Sequence, residues 1–123
     1  MTDRLLRDER VSLPITSRET IYNGRVWDVR QEVFDYAGSV LTRDYVAHTG
    51  AVAVLVIDAD DNVLVIQQYR HPVRLREWEI PAGLLDIAGE SALDCAKREL
   101  AEEVDLTAQT WHLLADYATA NNP

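Results

Sequence analysis

Residues 90–104, ESALDCAKRELAEEV, constrain the fold of this chain more than any other stretch. Leu93, Ala96 and Leu100 recur at helical spacing and define one apolar stripe, which predicts a helix from about Glu90–Ser91 to Val104 that must bury that stripe against another layer. The opposite flank is unusual. Glu99 and Glu103 are an i,i+4 pair and Glu102 is i+3 from Glu99, so three carboxylates crowd one side of the last turns. Like charges at this spacing cost a helix roughly 0.2–0.5 kcal/mol per pair. They also stand at the negative end of the helix dipole, where cations are preferred. In isolation such a run is most often a solvated face. A hard divalent cation removes both objections, because Mg²⁺ takes oxygen ligands from one or two carboxylates and leaves positions for substrate phosphates.

The rest of the chain reads mainly as strands. Residues 20–22 and 25–36 are expected to be extended, the second with alternation through Trp27, Val29 and Val33. Residues 36–39 (YAGS) form a turn, and 40–48 return antiparallel, giving an N-terminal β-meander over residues 1–48. Thr49-Gly50 marks a boundary, after which residues 49–123 form the second segment. The run 51–57 (AVAVLVI) has the pattern of a strand buried on both faces. Residues 58–62 (DADDN) are read as a hairpin tip, with 63–69 pairing back onto 51–57; they lack the Gly and distal Glu of a calcium loop. A basic loop over 70–77, a short strand at 78–80, a sharp exit at 81–83 and a strand over 111–117 complete the expectation.

Composition narrows the class. With 123 residues the chain is one domain or less, and 47% hydrophobic against 27% charged residues is the balance of a globular chain. A formal net charge of −9 argues against general nucleic-acid or membrane-surface binding, though not against a nucleotide substrate handled by local Arg residues and a metal. No apolar run approaches the length of a membrane span, and the N-terminus has no signal-peptide core. The one cysteine, Cys95, is read as a small packing residue, which with the absence of a second cysteine fits a reducing cytoplasm. His48, His71 and His112 are too scattered for a histidine metal site.

The longer pattern is more specific than the acidic run. Gly83, Glu90, then Arg98-Glu99-Leu100-Ala101-Glu102-Glu103 and Leu106 resemble the Nudix box of the nucleoside-diphosphate-X hydrolases. There are two departures. Six residues separate Gly83 from Glu90 where the box has five, read as a one-residue loop insertion. Asp105 stands where the box has the Gly that closes the helix in a left-handed conformation. Flanking segments extend the likeness: H-T-G-A-V-A-V, the Q-Q-Y-R that ends at Arg70, and W-E-I-P-A-G-L-L-D are similar to the ADP-ribose pyrophosphatase branch, over residues 21–120.

The resemblance implies an α/β (α+β) fold, the Nudix α/β/α sandwich around a mixed sheet, preceded by the antiparallel meander, in a homodimer whose N-terminal strands pack on the partner. It implies Mg²⁺- or Mn²⁺-dependent cleavage of ADP-ribose to AMP and ribose 5-phosphate. By position, Glu99, Glu102 and Glu103 match the metal-binding glutamates and the Ala82 carbonyl a further ligand. Glu90 matches the glutamate that pairs with Arg98 and holds the helix against its loop, with Gly83 opening the box. Arg70 resembles a substrate-binding Arg on the phosphate and terminal-ribose side. Arg43-Asp44 resembles an Arg-Glu pair on the adenosine side, and Trp27 an aromatic that stacks on adenine. Read on their own residues, Arg70 is equally a strand-end surface cation and Trp27 ordinary strand packing.

Related pyrophosphatases continue past position 123 with more strands, a second large helix and a loop bearing the general base. The expectation is therefore a fold incomplete at its C-terminus, with a nearly complete metal site, a general base beyond Pro123 and weak turnover by the 123 residues alone. The alternatives are a nucleotide-sugar or dinucleotide pyrophosphatase, a non-catalytic ADP-ribose-binding module, or a truncated inactive fragment.

Overall fold

The computed structural model describes residues 5–119. The chain divides into two compact units, one ending at His48 and the other beginning at Thr49.

The first unit is a three-stranded antiparallel meander: β1 (Ile15–Tyr22), β2 (Val29–Tyr36) and β3 (Ser39–Val46), in the order β1-β2-β3. A two-residue turn joins β2 to β3, with Tyr36 opposite Ser39. Ala37 and Gly38 both have positive φ, 48° and 81°, the backbone a tight right-twisting hairpin requires. Two expectations are corrected. The strand read from residue 25 begins at Val29. Tyr22 and Val29 are partners across β1 and β2, so residues 23–28 must reverse the chain and cannot be strand, which puts Trp27 in the connection. β1 also begins at Ile15, ahead of the expected residue 20. Its exposed, largely polar sequence carries no apolar alternation, and the ladder to β2 alone makes it a strand.

The second unit contains β4 (Ala51–Ala53), β5 (Ile66–Arg70), β6 (Leu75–Glu79), β7 (Ala82–Leu84) and α1 (Ala92–Val104). β4 pairs with β7 and β5 with β6, both antiparallel. The α+β architecture expected from the sequence is present, and every strand pair among the described residues is antiparallel. The core is Val54, Ala96 and Leu100, with Val52, Val56, Val104 and Trp111 packed around it.

Residues 51–57 are not buried on both faces. Val52, Val54 and Val56 turn inward, while Leu55 is 44% and Ile57 55% exposed. Side chains alternate along an extended chain, and among the described residues α1 covers one side only. The 58–62 tip forms as expected. Asp58 accepts from the Asp60 and Asn62 amides at 2.8 and 2.9 Å, and Ile57 bridges Val63. Those backbone N–H bonds, with the Asn62 side chain, hold the Asp58 carboxyl below its usual range. The return of 63–69 is only partial, because residues 66–70 pair with β6 instead. The basic loop read over 70–77 is therefore two strand ends joined at 71–74, with Arg74 at φ 56°.

The helix starts one turn-cap later than its first acidic residue. Ser91 is the N-cap and its hydroxyl accepts from the Asp94 amide at 3.1 Å. The buried side chains are Cys95, Ala96 and Leu100; Leu93, read as part of the stripe, is 46% exposed because it lies in the first turn, ahead of the segment that meets β4 and β7. Asp105 ends the helix at φ 54°, ψ 40°, with its N–H returned to the Ala101 carbonyl at 3.1 Å. It adopts the left-handed conformation the box glycine would take. A residue with a Cβ pays roughly 1–2 kcal/mol there, and an acid at this end opposes the helix dipole. Asp105→Gly is expected to raise stability by about 1 kcal/mol, read as a higher midpoint in urea at unchanged slope. Residues 111–117 do not form the expected strand. They have no ladder partner among the described residues; Leu113, Leu114 and Tyr117 are 75–85% exposed, and only Trp111 joins the core.

Candidate functional site

The site is built where β7 meets α1. The β4–β7 ladder alternates: the Val54 N–H donates to the Pro81 carbonyl at 2.8 Å and the Leu85 N–H to the Gly50 carbonyl at 3.0 Å. Positions 81 and 85 therefore face β4, as does 83, whereas the carbonyls of Ala82 and Leu84 point away from it. The Leu84 carbonyl accepts the Cys95 thiol of α1 at 3.4 Å, so this outward edge is the one the helix approaches. Cys95 is fully buried, the packing role read for it, and burial pushes its thiol pKa up. The Ala82 carbonyl lies on the same edge, free of the ladder, two residues along.

Between them, Gly83 brings the strand backbone against the Glu99 side chain. A Cβ at position 83 would overlap Glu99 Cδ and Cγ. The glycine is thus required by close approach: its missing side chain is the space the carboxylate stem occupies.

Arg98 organises the acidic residues. Its Nε donates to Glu90 Oε2 at 3.0 Å and its Nη2 to Glu90 Oε1 at 2.9 Å, a two-pronged clamp of the kind a planar guanidinium favours. Nη1 donates to Glu99 Oε1 at 3.0 Å and Glu102 Oε2 at 3.2 Å, and Asp86 approaches Nη2 at 3.9 Å. The Glu90–Arg98 pairing expected by position is present. It ties the loop before α1 to the second turn of the helix, and it lowers the Glu90 pKa while raising that of Arg98. Since the folded-state value of Glu90 lies below its unfolded value, its stabilisation is complete above about pH 4.3 and is lost as the pH falls through the folded value. Thermal midpoints measured against pH should fall on that acid limb, and Glu90→Gln should flatten it.

Glu99 is largely covered at 15% side-chain exposure and Glu102 is open at 61%. Each has one oxygen turned onto Arg98. In this arrangement no group of three acidic, histidine or cysteine side chains among the described residues converges as a metal centre. The donor set nevertheless fits a hard divalent ion. It offers carboxylates at Glu99, Glu102 and Glu103, a ladder-free carbonyl at Ala82, and a glycine cradle that brings strand and helix together.

Arg70 is held by Glu79, with Nε donating to Oε2 at 2.7 Å. Its pKa is raised first by that bond, with smaller contributions from the charges of Glu77 and Glu103. Glu79 was not singled out in the sequence. The signal that could have found it is parity: once 66–70 and 75–79 are read as a hairpin, 70 and 79 fall on one face.

The remaining expected residues lie in the first unit. Trp27, 37% exposed, stacks on His48 with ring centroids 4.4 Å apart. Arg43 and Asp44 are neighbours on β3, so their side chains leave opposite faces of the meander. Asp44 accepts from Gln31 at 2.9 Å, on one face, and Arg43 donates to the Thr42 carbonyl at 2.9 Å. On the Arg43 face, Glu32 accepts from Arg18 at 2.6 Å and Tyr45 at 2.8 Å, a cross-strand network the sequence did not announce. Among the described residues, no helix is long and apolar enough to cross a membrane.

Comparison with known proteins adds the following. The NUDIX domain family matches residues 47–122. The chain is 46% identical over 105 residues to an ADP-ribose pyrophosphatase of Mycobacterium tuberculosis, covering 85% of this chain and 51% of that protein. It is 37% identical over 94 residues to an ADP-ribose pyrophosphatase of Bacillus subtilis, covering 76% and 50%. It is 37% identical over 105 residues to a methanol dehydrogenase activator of Bacillus methanolicus, covering 83% and 55%. A solved structure described as an ADP compounds hydrolase superposes with a TM-score of 0.64 at 26% identity, over 85% of this chain and 57% of that one. The chain thus spans about half the length of the curated relatives it matches.

Proposed function

The chain belongs to the Nudix family, and from that premise we propose that it serves the divalent-metal-dependent hydrolysis of a nucleoside diphosphate linked to another moiety, with ADP-ribose as substrate and AMP and ribose 5-phosphate as products. The observation that carries this reading is the clamp of Arg98 on Glu90, which fixes the helix so that Glu99 lies against Gly83 beside the Ala82 carbonyl. The two relatives named ADP-ribose pyrophosphatases support the choice of substrate.

Glu99, Glu102, Glu103 and the Ala82 carbonyl would hold the ion, Mg²⁺ or Mn²⁺. When bound, such an ion neutralises phosphoryl oxygens and makes a coordinated water more acidic. The chain's own residues do the rest. Arg98 orients Glu99 and Glu102 through its Nη1 bonds, and Gly83 lets the strand edge and carboxylate share one side. Arg70 offers a fixed guanidinium to the diphosphate. Arg43, Asp44 and Trp27 are assigned to the adenosine side in a homodimer.

The test is AMP release from ADP-ribose with Mg²⁺, without it, and after EDTA. Metal-dependent AMP release is the expected result. Metal-supported binding of ADP-ribose without AMP release would replace hydrolysis by a binding role, and faster release from a nucleotide sugar or a dinucleotide would move the substrate.

A further inference from the structure

Arg70 closes β5 opposite Leu75, whereas Glu79 closes β6 opposite Ile66. The two residues stand at opposite ends of the hairpin, four positions apart along β6, or roughly 13 Å at the rise of a strand. Residues directly across from each other, and every second residue from them, share a face, so 70, 75, 77 and 79 form one row. The Arg70 guanidinium nevertheless meets the Glu79 carboxylate with two bonds, Nε to Oε2 at 2.7 Å and Nη2 to Oε1 at 2.5 Å. Neither side chain spans that distance alone, so Arg70 must lie extended along the row from the hairpin tip toward Glu77, and the Glu79 carboxylate must reach back from the base to meet it. Its partner Glu79 stands two residues before Pro81, and the guanidinium lies within the field of Glu103 on α1. Nη1 takes no hydrogen bond among the described residues.

We propose that Glu79 is a positioning residue: it draws the Arg70 guanidinium back along the hairpin, away from the tip and toward the 81–83 turn, and leaves Nη1 to donate to a phosphate oxygen of the diphosphate. The inference rests on the reading of Arg70 as a phosphate ligand. Its content is in the sign. If Glu79 were only a neighbouring negative charge, removing it would strengthen anion binding. If it positions the cation, removing it weakens anion binding, because the freed side chain returns to rotamers over the exposed hairpin tip.

The test is calorimetric titration of the full chain with inorganic pyrophosphate at fixed Mg²⁺. Glu79→Gln is expected to weaken pyrophosphate binding about tenfold, and Glu79→Asp, which keeps the charge on a shorter stem, to recover part of the loss. In an Arg70→Ala background the further change Glu79→Gln should have no effect, since its role passes through Arg70. Unchanged or tighter binding by Glu79→Gln, an additive loss in the double variant, or no pyrophosphate binding by the wild type would each overturn the proposal. AMP release on the same proteins separates the two readings. Pyrophosphate results as expected with no AMP release remove the hydrolase reading alone. AMP release with unaltered pyrophosphate affinity in Glu79→Gln removes the positioning role alone. Where both hold, Glu79→Gln raises KM for ADP-ribose and leaves kcat nearly unchanged, a split that general loss of structure would not produce.

Discussion

Glu103→Gln and, separately, Glu99→Gln should each lower metal-dependent AMP release by about a hundredfold or more, with the unfolding midpoint close to that of the wild type. A metal ion contributes several kcal/mol to a phosphoryl-transfer barrier, and each 1.36 kcal/mol is a factor of ten in rate. An amide keeps the shape of the carboxylate but loses the charge that a hard ion requires. The two positions differ in what else they lose. Glu99 also gives up its bond to Arg98, whereas no bond to Arg98 is made by Glu103. Raised Mg²⁺ should therefore restore more of the activity of Glu103→Gln than of Glu99→Gln. Equal, near-wild-type rates in both variants at limiting Mg²⁺ would remove these carboxylates from the metal site.

Gly83→Ala should be nearly as damaging to activity, through position rather than charge. The added methyl claims the volume of Glu99 Cγ and Cδ, and the neighbour on the other side is strand backbone paired to β4. The flexible partner yields, so the carboxylate leaves the Ala82 edge and parts from Arg98. Displacing a reacting group by about 1 Å can cost a hundredfold in rate, and that is the expected loss here. The Glu90–Arg98 clamp does not involve position 83, so the acid limb of the stability profile should survive in this variant. Steady-state kinetics with circular dichroism on the same sample checks both halves.

Much of this site was legible in the sequence because it is local. The helix bounds follow from Ser91, the 3.6-residue stripe and the acid at 105. The Glu90–Arg98 pairing is implied by the resemblance to the Nudix box, whose matched residues all lie within one short motif. The tip at 58–62 announces itself through Asp and Asn side chains that bond their own backbone. What escaped is what depends on distant partners. The 66–79 hairpin has no Asn-Gly or Asp-Gly turn, and its left-handed residue is Arg74, so a run rich in arginine reads as a loop. The Leu93 error has the same origin, since periodicity names a face but not how much of it a neighbouring strand covers. Residues 111–117 have strand-like composition, but a strand exists only with a hydrogen-bonded neighbour, which composition cannot supply.

The diagonal reach of Arg70 over its hairpin carries a consequence for how such a chain can vary in length. An insertion in the 71–74 turn leaves Arg70 opposite Leu75 and costs little, because loop-closure entropy grows slowly with loop size. An odd insertion or deletion between 75 and 79 turns Glu79 to the reverse side of the ribbon and strands the guanidinium at the tip. Natural length changes in this hairpin should therefore collect at its turn, while the segment 75–79 changes by substitution or by pairs of residues.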